Sequence, residues 1–539
     1  MDRPFAITLD VKSSLANHTG AWRTERPVYV DRWPPCNEKC PAGENVQAWL
    51  YAAEDGSYEI AWRRLVADNP FPAIMGRVCY HPCETACNRA QLDRAVGINS
   101  VERFLGDEAI RHGWRLPEPA ADTGKRALIV GAGPSGLSAA YQLRRLGHAV
   151  EIRDAGTQPG GMMRYGIPTF RLPRDVLDIE IARMLTLGID LRPDTRVTDL
   201  RAELSDFDAV FLAVGAQLAH RAYIPAAQSA RILEALDVLG QTAGGERPQL
   251  GRRVIVYGGG NTAMDAARTA RRLGADEALV VYRRTRERMP ANDIEVEEAM
   301  AEGVRMRWLS TIKHVGAGRL SVERMELDET GFPQPAGEVE ELDADTVVLA
   351  LGEDVDHSLV DTLPDVEIVD GVVQVDAQMM TGHPGVFAGG DMVPATRSVT
   401  VGIGHGKAAA RNIDAWLRGA PAPVEPAREA ATFERLNTWY YSDAPHAIRP
   451  RLEAVRRTSD FTEVVGGLDP QTALYEARRC LSCGNCFGCD NCYGVCPDNA
   501  VLKIDGAHGY AIDYDYCKGC GLCAVECPCG AIAMQPETS

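Results

Sequence analysis

Sixteen cysteines divide this 539-residue chain into three parts. Five stand at the front (Cys36, Cys40, Cys79, Cys83, Cys87), eleven follow residue 479, and none lies between Cys87 and Cys480. Disulphide staples belong to exported domains. The opening stretch MDRPFAITLDVKSSLANHTG lacks the basic-then-apolar order of a secretory signal. Cysteines separated by two or three residues are more often ligands. Near the C-terminus the spacing is specific: Cys486-x2-Cys489-x2-Cys492-x3-Cys496-Pro497, then Cys517-x2-Cys520-x2-Cys523-x3-Cys527-Pro528. In paired runs of this kind the fourth cysteine ligates the other 4Fe–4S cluster. The expected sets are therefore Cys486, Cys489, Cys492 with Cys527, and Cys517, Cys520, Cys523 with Cys496. Cys480, Cys483 and Cys529 are left over. The first two read as spare thiols, half of a zinc site, or ligands of a further cluster.

The cysteine-free middle carries two strand–glycine–helix units. In KRALIVGAGPSGLSAAYQLRRLGHAVEIRDA, an apolar strand runs into Gly131, Gly133 and Gly136, a helical repeat follows, and a second strand ends at Asp154. Glycines at this spacing let the backbone turn and approach a pyrophosphate at a helix N-terminus, and the terminal acid suits a ribose. In GRRVIVYGGGNTAMDAARTARRLGADEALVVYRRTRERMPA the fingerprint is Gly258, Gly260 and Ala263, with Asn261 in the turn. Its second strand ends in Arg283 and Arg284 instead of an acid. A basic pair there accommodates a 2′-phosphate and favours NADPH; otherwise it is a solvated strand end.

The net charge of −18, from 75 acidic and 57 basic side chains, argues against nucleic acid and anionic membrane as main partners and otherwise serves solubility. No apolar run is long enough to span a membrane, and the chain reads as cytoplasmic.

HPGVFAGGDMVPATRSVTVGIGHGKAAARNI resembles the second flavin motif of two-dinucleotide flavoproteins, which implies that Gly390 and Asp391 hold FAD. FAD then occupies the first glycine unit and nicotinamide the second. FDAVFLAVGA and DTVVLALGED resemble the crossover strands between the two domains. Thiol–disulphide relatives carry a redox C-x-x-C in this core, and its absence here argues against that chemistry.

With PPCNEKCPAGENVQAWL, NPFPAIMGRVCYHPCETACNRAQLDRAVGINSVERF, GGMMRYGIPTFRLP and VVYRRTRERMPA, these stretches resemble the glutamate synthase small (beta) subunit, with dihydropyrimidine dehydrogenase and ferredoxin:NADP transhydrogenase among its relatives. The resemblance spans about residues 35–415. One segment is displaced. DFTEVVGGLDPQTALYEARRCLSC, usually found before the first cysteines, stands at residues 460–483. The resemblance implies that Cys480 and Cys483 join Cys36 and Cys87 around one 4Fe–4S cluster, while Cys40, Cys79, Cys83 and Glu102 hold another. Cys529 stays spare, and Glu102 is otherwise an ordinary helix residue.

The expected fold class is α/β, with two nested Rossmann-like domains, an N-terminal helical iron–sulphur domain and a C-terminal bacterial-type ferredoxin α+β domain. The expected divisions are 1–120 for the N-terminal domain, 121–225 with 365–420 for FAD, 226–364 for NAD(P), 421–479 for a linker with a helical segment, and 480–539 for the ferredoxin. The fused ferredoxin resembles the electron-transfer subunit of phenylglyoxylate dehydrogenase-type 2-oxoacid oxidoreductases. That implies a subunit passing electrons between NAD(P)(H), FAD and 4Fe–4S clusters, in a homo- or hetero-oligomer. The flavin carries the reaction, so no catalytic side chain is assigned. Alternatives are a self-contained NAD(P)H:ferredoxin oxidoreductase, a glutamate synthase small subunit, and a structural or assembly iron–sulphur subunit.

Overall fold

The computed structural model describes residues 18–19, 23–219, 224–227, 230–424, 428–504 and 509–537. Two parallel sheets form its centre. In the first, strand Arg126–Val130 has Ala149–Arg153 and then Asp190–Arg192 on one side, and Ala209–Leu212 and then Val386–Ala388 on the other. The second runs Arg305–Arg307, Glu277–Val281, Arg253–Tyr257, Thr346–Leu349, Ile232–Glu234. Near-continuous apolar runs such as ALIV and VIVY suit parallel strands covered on both faces. An antiparallel sheet of Ser310–Val315, Arg319–Leu327 and Pro333–Asp343 shares a core with the second parallel sheet. Two-residue strands Leu218–Ala219 and Glu353–Asp354 pair antiparallel where the chain passes between the two parallel sheets. This is the nested α/β architecture expected from the sequence.

Two helices meet on the first sheet, Pro134–Arg145 and Val399–Arg418. Their backbones approach closely because Gly406 has no side chain; a Cβ there would stand 2.3 Å from the Ser135 carbonyl oxygen. At the front of the chain, helices Val46–Glu54, Tyr58–Val66, Pro72–Val78 and Ile98–His112 bury Trp49 and Trp62 and join the first parallel sheet in one hydrophobic core.

The displaced segment folds back onto that helical module. Helix Pro470–Ala477 is N-capped by Asp469, whose carboxylate accepts from the Gln471 and Thr472 amides at 2.9 and 3.0 Å. It packs on Val46–Glu54 and Ile98–His112. Its fully buried Glu476 accepts from the Gly97 amide at 2.6 Å and the Ala447 amide at 2.8 Å. The stretch before it, read as a linker with some helix, is from residue 428 onward a strap of short turns docked at several points. Ala431 N–H donates to Trp33, Asn437 N–H to Pro528, the Tyr441 hydroxyl to Leu481, and Val464 N–H to Phe170. Backbone bonds of this kind need no apolar periodicity, so the pattern of the sequence gives no sign of them.

The ends of the chain also join. Strand Glu25–Tyr29 pairs antiparallel with Ile532–Pro536, while the ferredoxin-type region keeps its own pair, Val501–Lys503 with Tyr510–Ile512. Among the described residues, no helix is long and apolar enough to cross a membrane.

Candidate cofactor sites

The first glycine loop is shaped as a cradle. Gly131 has φ +107°, a left-handed conformation that favours glycine, and a Cβ there would lie 2.4 Å from the Ala213 oxygen. At Gly136 a Cβ would lie 1.9 Å from the Gly131 oxygen, so this glycine sets the contact between helix and loop. Gly133 differs, because nothing stands within 4 Å of its would-be Cβ. That open space at the head of helix Pro134–Arg145 fits a pyrophosphate approaching the backbone. Asp154 ties the loop: one carboxylate oxygen accepts from the Ala132 amide at 2.5 Å and the other from Gly156 at 2.6 Å. A carboxylate oxygen accepts more than one donor, so ribose binding at Asp154 stays compatible with this role.

Gly390 and Asp391 open a short turn in front of helix Val399–Arg418. Gly390 has φ +73° and lies against Ser135 of the first loop. The Gly390 amide donates to His405 Nδ1 at 3.2 Å, and burial lowers the His405 pKa, which keeps that nitrogen an acceptor. Burial raises the Asp391 carboxyl, opposed by nearby Arg397. The two motifs assigned to FAD therefore face one another.

The second fingerprint repeats the geometry. A Cβ on Gly258 would stand 2.0 Å from the Ala350 oxygen, and Gly260 opens onto space free of atoms within 4 Å. Asn261 accepts from the Asn292 amide at 2.8 Å and so fixes the loop. Arg283 is exposed and Arg284 half-buried, and the Arg284 Nε is buried without a hydrogen-bond partner. A donor left this way is costly unless a ligand accepts from it, which fits an added phosphate.

The front cysteines gather with the displaced pair. Cys36 lies among Cys480, Cys87 and Cys483, and the four thiols come from three segments of one chain. Cys40 lies beside Glu102 and Cys79, and Cys83 beside Cys79 and Cys40. Glu102 is not on a solvated face. It is buried, and Asn69 Nδ2 donates to both Glu102 at 3.0 Å and Glu44 at 2.9 Å. Burial above all raises these thiols, Cys79 and Cys483 to about 12. Binding a metal as thiolate would release those protons. Amide donors face the sulphurs: His81 N–H to Cys79 at 3.2 Å and Ser482 N–H to Cys480 at 3.4 Å.

In the C-terminal region Cys489 lies near Cys527 and Cys486, and Cys492 near Cys486 and Cys489. Cys523 lies near Cys517, Cys520 and Cys496. Cys492 lies near Cys523 as well, so the two runs stand side by side. Cys529 Sγ stands 3.8 Å from Cys527 Sγ. Among the described residues no three Cys, His, Asp or Glu side chains gather tightly enough for a single metal ion. Cluster thiolates bind separate irons at the corners of a cube and stand wider apart.

Two links between these sites were not readable from the sequence. Thr400, in the first turn of the helix that follows Gly390–Asp391, donates its hydroxyl to Cys79 Sγ at 3.2 Å. A Cβ on Gly404 of the same helix would stand 1.9 Å from the Pro41 oxygen, beside Cys40. The helix from the flavin motif thus lies directly against one cysteine set. At the other set, Tyr441 lies near Cys529, Cys483, Cys480 and Cys527, between the front and C-terminal thiols. The first link joins residues hundreds of positions apart and the second joins separate segments of the C-terminal part to the front cysteines, and no local spacing signals either.

The folds and loops described define a flavin- and nicotinamide-binding protein with iron–sulphur modules at both ends. Residues 125–409 match the model of the pyridine nucleotide-disulphide oxidoreductase family, and the chain belongs to that family. Within that stretch it has no cysteine. Residues 10–114 match dihydropyrimidine dehydrogenase domain II, 4Fe-4S cluster, and residues 510–533 the 4Fe-4S binding domain. The chain is 34% identical over 529 residues to NADP(+)-dependent formate dehydrogenase subunit beta of Moorella thermoacetica, covering 88% of this chain and 73% of that protein. It is 31% identical to NADPH-Fe(3+) oxidoreductase subunit beta of Geobacter sulfurreducens, over 84% and 76% of the two chains. Against the glutamate synthase [NADPH] small chain of Azospirillum brasilense it is 33% identical, over 74% and 89%. The chain is accordingly an oxidoreductase of the glutamate synthase small-subunit type, with FAD, nicotinamide and 4Fe–4S sites.

Proposed function

We propose that this chain is the electron-transfer subunit of a larger oxidoreductase, with NADP(H) as its nicotinamide and substrate chemistry on a partner subunit. FAD, when bound, exchanges a hydride with nicotinamide and single electrons with the clusters. The chain's own residues position these groups. The glycine loops admit the dinucleotides, Arg283 and Arg284 receive a 2′-phosphate, and Cys36, Cys87, Cys480 and Cys483 hold one cluster. Cys40, Cys79, Cys83 and Glu102 hold a second next to the flavin helix. Cys486, Cys489, Cys492 and Cys527, and Cys496, Cys517, Cys520 and Cys523, hold the ferredoxin pair.

The observation that carries this reading is the unbroken sequence of sites. Tyr441 stands between the C-terminal thiols and the Cys480 set, and Thr400 of the helix that follows Gly390–Asp391 donates to Cys79. A purely structural iron–sulphur subunit needs no such continuity. The partner's substrate is a 2-oxoacid of the phenylglyoxylate type on the sequence resemblance. Formate is the second reading, favoured by the 34% identity to a formate dehydrogenase beta subunit.

An anaerobic titration with NADPH tests the proposal. The flavin absorbance bleaches first, and cluster signals in electron paramagnetic resonance grow as further equivalents are added. Bleaching without any cluster reduction would remove the electron-transfer role.

A further inference from the structure

Of the sixteen thiols only Cys489 and Cys520 are exposed, and both belong to the C-terminal sets. Large apolar side chains are exposed on the segments next to Cys489. Trp439 is 87% exposed and Val525 67%, and Tyr440 and Tyr493 are each 47% exposed. The structure holds these residues in place. Asn437 accepts from the Trp439 amide at 3.2 Å and donates to the Val525 oxygen at 2.9 Å, so the strap is strung along helix Leu522–Val525. The Tyr440 hydroxyl donates to Glu526, and Tyr440 lies beside Cys489. Tyr493 stands on helix Asn491–Val495, which packs against Leu522–Val525. An apolar cluster of this kind around the exposed ligand of an electron carrier marks an interaction site.

We propose that Trp439, Tyr440, Tyr493 and Val525 form the docking face for a redox protein that brings its own one-electron centre to Cys489 and presents basic residues around an apolar middle. The proposal rests on the electron-transfer reading above and names the surface through which it works. Charge selects the partner's sign. Residues 480–539 contain seven acids and two lysines. Both lysines are already paired, Lys503 with Asp490 at 2.8 Å and Lys518 with Asp498 at 3.8 Å. Glu537 pairs with Arg23, while Glu526, next to Val525, accepts from the Tyr440 hydroxyl and leaves the edge of the patch acidic; an acidic rim attracts a basic partner and speeds its encounter. Aromatic residues with an apolar neighbour give such a face its affinity. Trp439 belongs to the strap, outside the paired cluster runs, so the strap contributes to recognition as well as to docking the ferredoxin-type region.

The test compares the wild-type holoprotein with Trp439→Ala/Val525→Ala, which removes the apolar middle, keeps every ligand and leaves the charge unchanged. NADPH-driven reduction of cytochrome c, a basic one-electron protein, is the probe, and methyl viologen is the small-molecule control. The expected result is a fall of roughly tenfold or more in kcat/KM for cytochrome c. Viologen rates, flavin bleaching by NADPH and cluster resonance signals should stay as in wild type. Wild-type cytochrome c reduction should fall steeply with added salt. Equal cytochrome c kinetics in the two proteins, or wild-type rates indifferent to salt, would overturn the docking face. A wild-type protein whose flavin NADPH does not bleach would instead overturn the electron-transfer reading, so the two failures are told apart by the flavin alone.

Discussion

Gly133 and Gly136 lie three residues apart in one loop and have opposite requirements. At Gly136 a side chain meets the Gly131 carbonyl, and at Gly133 it meets nothing. Gly136→Val should therefore strain the fold itself, costing about 1–3 kcal/mol by overpacking. Gly133→Ala, at an extended φ of −78°, should leave stability within about 0.5 kcal/mol of wild type. It should nevertheless purify with little FAD, because its methyl fills the space a pyrophosphate needs. Melting temperature and flavin per chain, measured together, check both. Arg283 and Arg284 pose a question of cofactor choice. Arg283→Ala/Arg284→Ala should lower the preference for NADPH over NADH by about tenfold or more, on the scale of charge-assisted hydrogen bonds. Unchanged discrimination in steady-state kinetics would take both residues out of the site. Residues of this sort were legible from the sequence because their spacing along one strand–turn–helix is itself the signal. Thr400 and Arg32 were not, since a hydroxyl on Cys79 or a guanidinium on the Gly530 oxygen depends on segments that meet only in the folded chain.

Helix Arg174–Leu185 shows how one element carries a pH dependence. Its Glu180 is fully buried against helix Pro72–Val78 and accepts from the Ile74 amide at 3.1 Å, while the other carboxylate oxygen has no hydrogen-bond partner and faces the Arg183 guanidinium at 3.9 Å. Burial raises its pKa from 4.5 to about 7. The native chain then binds this proton more tightly than the unfolded chain. Stability from this group is complete below about pH 4.5 and is lost as pH rises through 7. Glu180→Gln keeps the acceptor and cannot ionise. Relative to wild type it should gain on the order of 2–3 kcal/mol between pH 5 and pH 8. The difference in melting temperature at the two values reads it, and an equal difference at both would mean that the carboxyl stays neutral throughout or that Arg183 holds it ionised throughout. The displaced segment carries a second prediction. If Cys480 and Cys483 complete the Cys36/Cys87 site, replacing both with Ser should lower iron from about sixteen to about twelve atoms per chain and leave both ferredoxin-type signals intact. Full iron content would return the pair to spare thiols. Helix Pro470–Ala477 was expected only as an unplaced helical segment within residues 421–479. Its place on the N-terminal helices followed only from resemblance, because a segment's sequence does not encode which surface receives it.

At the scale of the whole molecule the ferredoxin-type region is held fast, not carried on a loose tether. Strand Glu25–Tyr29 runs beside Ile532–Pro536, Val30 N–H donates to Ala531, and Arg32 N–H donates to Gly484. Gly484 in turn donates to the Cys529 oxygen at 2.6 Å, which joins the loop carrying Cys480 and Cys483 to the loop carrying Cys527. The cysteine map announced the separate modules; this seam was hidden because short stretches from both ends of the chain build it. Gly484 is its tightest point, with φ +76° and a would-be Cβ 2.5 Å from Arg32 Cβ and 2.8 Å from Ala431 Cβ. Gly484→Val therefore strains the backbone and wedges the loops apart, at about 2–4 kcal/mol for conformation and overpacking together. Each cluster keeps its four ligands, so iron should stay near sixteen atoms. What changes is the separation between two paramagnetic centres, whose dipolar coupling falls with the cube of distance. The reduced variant should show narrower resonance lines than wild type and slower reduction of the ferredoxin-type clusters by NADPH, with flavin bleaching unaffected. Unaltered line widths at full iron content would mean that the seam does not set the distance between the clusters, and that tethering by the strap alone holds the two ends of the chain in register.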